Sequence, residues 1–298
     1  MGMKKRLTLM VLLALVTCLL AIPARAATIT VGSKAFTESE LVSELYADAL
    51  SRAGFHVVRK QDLSSAVIYR ATQTGQVDLY PEYTGTIVLA YLKKDASGKP
   101  AAAVARLAAR GVKKLGLVTL TPAPADDRQG IAVRTVVAKR YHLKTISDLQ
   151  RQASHLRFVS QGEFDKRSDG LPGMERVYGK FRFKRVTDYA DGLKYRVLAS
   201  GAGDVAPVST TDGQLTSKQF TLLKDDRHLW PAYNLVPLAN RKVIEQHPKV
   251  ARVLNQVDAK LTTATLIRLN RQVTVEGKNY RQVARAWVKK HLKGGDLR

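Results

Sequence analysis

Cysteine is all but missing from this chain. The one example, Cys18, lies inside an apolar run near the start, so nothing after it can form a disulfide, a thiol nucleophile or a cysteine metal site. Histidine is sparse and scattered: His56, His142, His155, His228, His247 and His291 stand at no metal-ligand spacing from one another or from a carboxylate. There is no Gly-x-Ser-x-Gly elbow and no phosphate-binding P-loop. Acid is short relative to base, with 25 Asp and Glu against 49 Lys and Arg. The carboxylates fall mostly in caps and turns, and no pair declares itself an acid/base couple. After the leader, no stretch is long and apolar enough to span a bilayer. The sequence therefore asks for no metal, no cofactor and no catalysis.

What is present begins with an address. Met1-Gly2-Met3-Lys4-Lys5-Arg6 is followed by an apolar run from Leu7 to Ile22, a break at Pro23, and Ala24-Arg25-Ala26. A basic start, an apolar middle and an Ala-x-Ala site predict a cleavable signal peptide over residues 1–26 and a mature chain from Ala27. A lipid anchor on Cys18 fits less well, because Thr17 stands where a small residue is wanted and the apolar run continues past it. The expectation is an exported, soluble, periplasmic protein with enough chain for two domains. Removing the four leader cations lowers the net charge from +24 to +20, and residues 230–298 alone carry +10. An acidic ligand, an anionic membrane or nucleic acid would each suit that balance. Export removes the nucleic acid, whose binding signatures are also missing, and a solvated basic face is the plain explanation.

Thr28 to Val31 reads as a first strand. Thr37 stands three residues before Glu40, a capping box opening a helix with Leu41, Leu45 and Ala49 inward and Gly54 past its end. Lys34, in the loop between, suits an anion near a helix N-terminus. A strand over 55–59, a helix over 64–74 and a strand over 77–79 lead into Tyr80-Pro81-Glu82-Tyr83-Thr84-Gly85-Thr86. Pro81 and Gly85 predict that this segment leaves the sheet and turns. It would gather two tyrosines, an acid and two threonines at a strand end, where open α/β sheets place ligands. A turn with packed tyrosines is the plain alternative. An alanine-rich helix after Pro100 and a strand over 117–120 continue the alternation, which predicts a mainly parallel sheet. Thr121 to Gly130 breaks the rhythm as a linker, and a second series runs from Ile131 to Val208. Its polar loop over 161–170 carries Arg167, either a clamp for a carboxylate or half of a surface ion pair with Asp165 or Asp169. Trp230 to Asn234 marks a second crossing, and the remainder is expected to be helical, ending with a helix over 279–292.

Five markers in order resemble the substrate-binding proteins of osmoprotectant ABC importers, the glycine betaine/choline/carnitine group. They are Gly32-Ser33-Lys34-Ala35-Phe36-Thr37-Glu38, the run from Asp78 to Gly85, Thr121-Pro122-Ala123-Pro124, Glu163-Phe164 with Arg167 and Asp169-Gly170, and Thr211-Asp212-Gly213. The resemblance spans nearly the whole chain after the leader. It implies an α/β, type II periplasmic-binding-protein fold, with two α/β lobes joined by two crossing segments and a ligand cleft between them. The expected division is residues 27–127 with 231–298 as a discontinuous first lobe, and 128–230 as the second. By position, the resemblance puts Lys34, Thr86 and Arg167 on a ligand carboxylate. It puts Tyr83 and Tyr233 on the faces of a quaternary ammonium, which donates no hydrogen bond and is held by rings. At two further box positions, where the family has aromatics, this chain has Gln129 and Ser209. The implied ligand is a small zwitterion or cation, the implied partners are an inner-membrane ABC permease and its ATPase, and a monomer is expected. The alternatives are a periplasmic enzyme on the same fold, such as a dehydratase of small cyclic acids, or a ligand sensor for a membrane receptor. The enzyme would need a carboxylate or histidine in the cleft near Arg167.

Overall fold

The computed structural model describes residues 26–161, 164–293 and 295; residues 1–25, which hold Cys18 and nearly all of the expected signal peptide, and Gly162 and Glu163 lie outside the described residues. Strand β1 (Thr28–Lys34) is followed by the helix Thr37–Arg52, whose Leu41, Val42, Leu45 and Ala49 are buried. Next come β2 (His56–Leu63), the helix Ser65–Gln73, β3 (Leu79–Tyr83), the helix Ala101–Lys113 and β4 (Leu117–Thr119). The second series holds β5 (Gln129–Arg134), β6 (Arg157–Gln161), β7 (Arg185–Tyr189), β8 (Val205–Ser209) and β9 (Phe220–Leu222). Then β10 (Leu235–Asn240) precedes the helices Pro248–Asp258, Thr263–Thr274 and Tyr280–His291.

The strands form two five-stranded sheets, β2-β1-β3-β10-β4 and β7-β6-β8-β5-β9. β1 runs parallel to β2 and β3, and β6 parallel to β7 and β8. β10 runs antiparallel to β3 and β4, and β5 antiparallel to β8 and β9. Both sheets are therefore mixed rather than mainly parallel. The reason is where the crossings deliver the chain. Leu235 starts β10 beside Tyr83, the last residue of β3, and Gln129 starts β5 beside Ser209, the last of β8. A strand that begins where its neighbour ends must run the other way. The crossings also pair with each other: Asp126 and Asn234 form an antiparallel bridge, and the Asp127 N–H donates to the Tyr233 carbonyl at 3.1 Å.

Three local expectations change. The chain does not leave the sheet at Pro81, because β3 continues to Tyr83 with Pro81 opposite Pro237 of β10. Two facing prolines have no N–H to exchange, so they fit a non-hydrogen-bonded pair of an antiparallel ladder. The turn comes afterwards, as the single helical turn Thr84–Thr86. Second, the segment after Asn234 opens with β10 and not with a helix; its run Leu-Val-Pro-Leu-Ala-Asn is buried at every position, so it shows no alternation to betray a strand. Third, no Thr37–Glu40 capping box forms, since Phe36 is the N-cap and makes no side-chain cap. Glu40 turns instead toward Asp62, and burial together with that neighbouring carboxyl pushes its pKa up to about 7.

Candidate functional site

Strands β1, β3, β6 and β8 all end on one cleft of about 540 Å³, where Lys34, Tyr83, Gln161 and Ser209 are their terminal residues. That is the location the topology of an α/β sheet offers to ligands. Lys34, Tyr83, Thr86, Gln129, Arg167, Ser209 and Tyr233 line it together. Trp230 is not on its wall; it is buried, with Nε1 donating to the Asp169 carbonyl at 2.7 Å.

Lys34 and Arg167 border the cleft, and each already has a carboxylate. The Lys34 ammonium lies 2.5 Å from Glu82 Oε1, and both residues are buried. Glu82 also accepts from the Tyr80 hydroxyl at 3.0 Å, the Tyr91 hydroxyl at 2.7 Å and the Tyr83 N–H at 2.9 Å. Burial pulls the Lys34 pKa down, with Glu82 opposing. Arg167 donates through Nε and Nη2 to Asp169 at 2.8 and 2.6 Å. This is the ion pair weighed for Arg167, yet it is no surface pair, because the Asp169 side chain is only 1% exposed while Arg167 borders the cleft. Asp169 further accepts from the Tyr233 hydroxyl at 2.9 Å. Burial alone would raise the Asp169 carboxyl, but the Arg167 guanidinium holds it below the usual range. Lys34 feels the charges of Arg167 and Asp169 as well as Glu82, so the four groups act as one electrostatic unit.

The rest of the wall is acidic and aromatic, and Tyr83 joins the two groups, its ring centre 5.4 Å from the Lys34 ammonium. The Tyr83 hydroxyl donates to Glu38 Oε1 at 2.8 Å; Thr211 Oγ1, at 2.6 Å, and Asn270 Nδ2 donate to Glu38 Oε2. Asp127 is 5% exposed, borders the cleft and receives its hydrogen bonds from Thr211, including the amide at 3.3 Å. Burial raises both carboxyl pKa values, and for Asp127 the charges of Glu38 and Asp212 add to it. Asp212 is better supplied, accepting from the Tyr195 hydroxyl at 2.8 Å and the Ser209 N–H at 3.1 Å, with the Lys194 ammonium at 3.2 Å. Gln129 and Ser209 stand directly opposite each other in the β5–β8 register. One face of the Tyr233 ring rests on Gly85, where an added Cβ would fall 2.6 Å from the ring. Among the described residues no group of His, Cys, Asp and Glu is placed to hold a metal ion.

A family model described as the substrate binding domain of ABC-type glycine betaine transport system matches residues 27–290. The chain belongs to that family. It is 30% identical to the glycine-betaine-binding protein of Pseudomonas aeruginosa, over 90% of this chain and 89% of the relative. It is 31% identical to the glycine betaine-binding protein YehZ of Escherichia coli, over 90% and 92% respectively. A solved glycine betaine/carnitine/choline ABC transporter structure superposes with a TM-score of 0.71 at 26% identity, covering 91% of this chain and all of that one. The family is one of transport binding proteins, and its two-lobed α/β architecture is the one described above.

Of four acids central to this member's cleft, Glu38 and Asp127 escaped the sequence reading, whereas Glu82 was gathered with the tyrosines at the strand end and Asp169 was weighed as a partner of Arg167. Glu82 had a signal, since an acid flanked by Tyr80, Pro81 and Tyr83 in a strand must be buried and hence paired. Asp169 sits two residues from Arg167, the spacing of a local fork. Asp127 looked like one more linker acid beside Asp126, and Glu38 like a helix-start charge. Only the pairing of the two crossings and the closing of helix Thr263–Thr274 over Thr211 bring those two inside.

Proposed function

We propose that this protein is the exported receptor of an ABC importer, capturing a small zwitterion in its cleft and handing it to a membrane permease driven by its ATPase. The observation that carries the reading is the shared cleft wall of Lys34 and Arg167. One comes from the end of β1 and the other from the loop after β6, so a carboxylate between them bridges both sheets. Thr86 lines the same cleft, and Tyr83 and Tyr233 offer ring surface to the ligand's cationic group. The reading includes a cleaved leader over residues 1–26, a periplasmic monomer, a first lobe of residues 27–127 with 231–298 and a second of 128–230. It assigns no catalytic step.

Calorimetry with carboxylated zwitterions tests this directly. Arg167→Ala removes a charge-assisted contact worth roughly 2–5 kcal/mol when buried. Affinity retained by a folded Arg167→Ala variant would take Arg167 out of the site.

Gln129 and Ser209 narrow the ligand. Each ring on a desolvated quaternary ammonium contributes about 0.5–2 kcal/mol, so two missing rings weaken such a box roughly 5-fold to nearly 1000-fold. Glycine betaine should therefore bind weakly. Because the two positions face each other across β5 and β8, Gln129→Tyr with Ser209→Tyr places two rings side by side on the cleft wall. Betaine affinity should rise in that double variant; no rise with folding intact would remove both positions from the ammonium end.

A further inference from the structure

Asp127 is a buried carboxylate on a ligand cleft with too few donors. It is 95% buried by residue, and among the described residues its hydrogen bonds come from Thr211. An ionised carboxylate offers about four lone-pair sites in all, so the two bonds from Thr211 leave about half of them open. Its position is fixed from two directions, since its own N–H is bonded to the Tyr233 carbonyl and its side chain to Thr211. It lines the cleft together with Tyr83 and Tyr233, and its charge is felt by both hydroxyls. Gln129, two residues on, brings a second acceptor to the same wall, with Ser209 opposite it.

A fully methylated ammonium would leave this carboxylate as it is. The methyl shell carries no hydrogen-bond donor, so the ligand's charge would be felt while Asp127 stayed buried without a donor from the ligand. An ammonium that keeps an N–H instead completes a charge-assisted hydrogen bond, the stronger kind. We propose that Asp127 is the specificity-determining residue for the nitrogen end of the ligand, accepting a hydrogen bond from an ammonium that bears at least one N–H, so that the cleft selects amino-acid zwitterions over the fully methylated betaine. This rests on the binding-protein reading above and names the ligand class of the same site.

The test uses four probes with one carboxylate and a graded nitrogen: glycine betaine, dimethylglycine, sarcosine and glycine, titrated calorimetrically into the purified protein and into Asp127→Asn and Arg167→Ala variants. The expected result is that at least one N–H-bearing probe binds about tenfold or more tightly than betaine, the equivalent of one charge-assisted bond. Asp127→Asn, close in shape but uncharged, should collapse that preference, costing the N–H-bearing probes clearly more affinity than it costs betaine. The wild-type series decides selectivity even if the variant fails to fold. Betaine binding as tightly as every N–H-bearing probe overturns the proposal; if Arg167→Ala still abolishes that binding, the transport reading stands without it. An N–H preference that survives in Asp127→Asn removes Asp127 as its cause. Binding of no probe overturns the transport reading, and the proposal with it.

Discussion

At the scale of single residues, the cleft holds carboxylates displaced in opposite directions, and each direction has its own pH window. Asp127 is raised above the usual carboxyl value of 3.8 by burial and by Glu38 and Asp212. A raised folded-state pKa gives stability that is complete below that value and is lost as pH rises toward the folded pKa. Asp127→Asn should therefore raise the melting temperature of the unliganded protein at neutral pH and flatten its decline as pH rises above 3.8. A melting series in matched buffers checks this; an unchanged slope would mean that the Asp127 carboxyl ionises freely in the fold. Asp169 behaves in reverse. Held below 3.8 by Arg167, it adds stability above that value which is lost as pH falls further, so Asp169→Asn should destabilise at neutral pH and much less in strong acid. None of this was visible along the chain. Lys34 and Tyr83 stood out because each is an unusual residue near a strand end, and Arg167 because it is a cation in a polar loop that follows one. Asp127 acquires meaning only through partners more than eighty residues away, such as Thr211.

At the scale of elements, the single helical turn Thr84–Thr86 sets the aromatic wall, because its Gly85 backbone lies flat against Tyr233. A Cβ at Gly85 would come within 2.6 to 2.7 Å of three ring atoms. That ring cannot swing aside, since its hydroxyl is bonded to Asp169 and its amide to Asp126 Oδ1 at 2.8 Å. Gly85→Ala is expected to cost roughly 1–3 kcal/mol by overpacking, read from urea unfolding, and to weaken ligand binding as the ring shifts. The alternating strands and helices of both series, and the break near residues 121–130, could be read from apolar periodicity alone. β10 could not: a strand buried on both faces has no polar beat, and Pro237 argues against a central strand until Pro81 is seen opposite it. The short β9 (Phe220–Leu222) went unread for a similar reason, since three residues carry too little pattern to register.

At the scale of the whole molecule, the two sheets already touch across the cleft. Thr211 Oγ1 donates to Glu38, Asn270 Nδ2 donates to the Thr211 carbonyl at 3.0 Å, and the Tyr233 hydroxyl reaches Asp169. These contacts bias the unliganded protein toward closure, and a ligand bridging both sides biases it further by its differential affinity. Small-angle scattering should show a smaller radius of gyration at saturating ligand. Thr211→Val, which deletes the donor to Glu38, should enlarge the unliganded radius and leave the liganded one near its original value. Equal radii for all four samples would describe a protein that does not hinge.

The bridge between Asp126 and Asn234 gives that hinge a mechanical character. Two antiparallel strands bonded to each other make a ribbon, stiff to stretching and in-plane bending but compliant in twist. Opening is then a torsion about the ribbon, and points on the ribbon barely move. Asp127 and Tyr233 are such points, whereas Lys34 ends β1 and Arg167 lies in the loop after β6. A ligand would thus moor its nitrogen first, at the pivot, and have its carboxylate clasped last as the two sheets close. In stopped-flow experiments Arg167→Ala should accordingly hasten release far more than it slows arrival, whereas a change at the pivot alters capture itself.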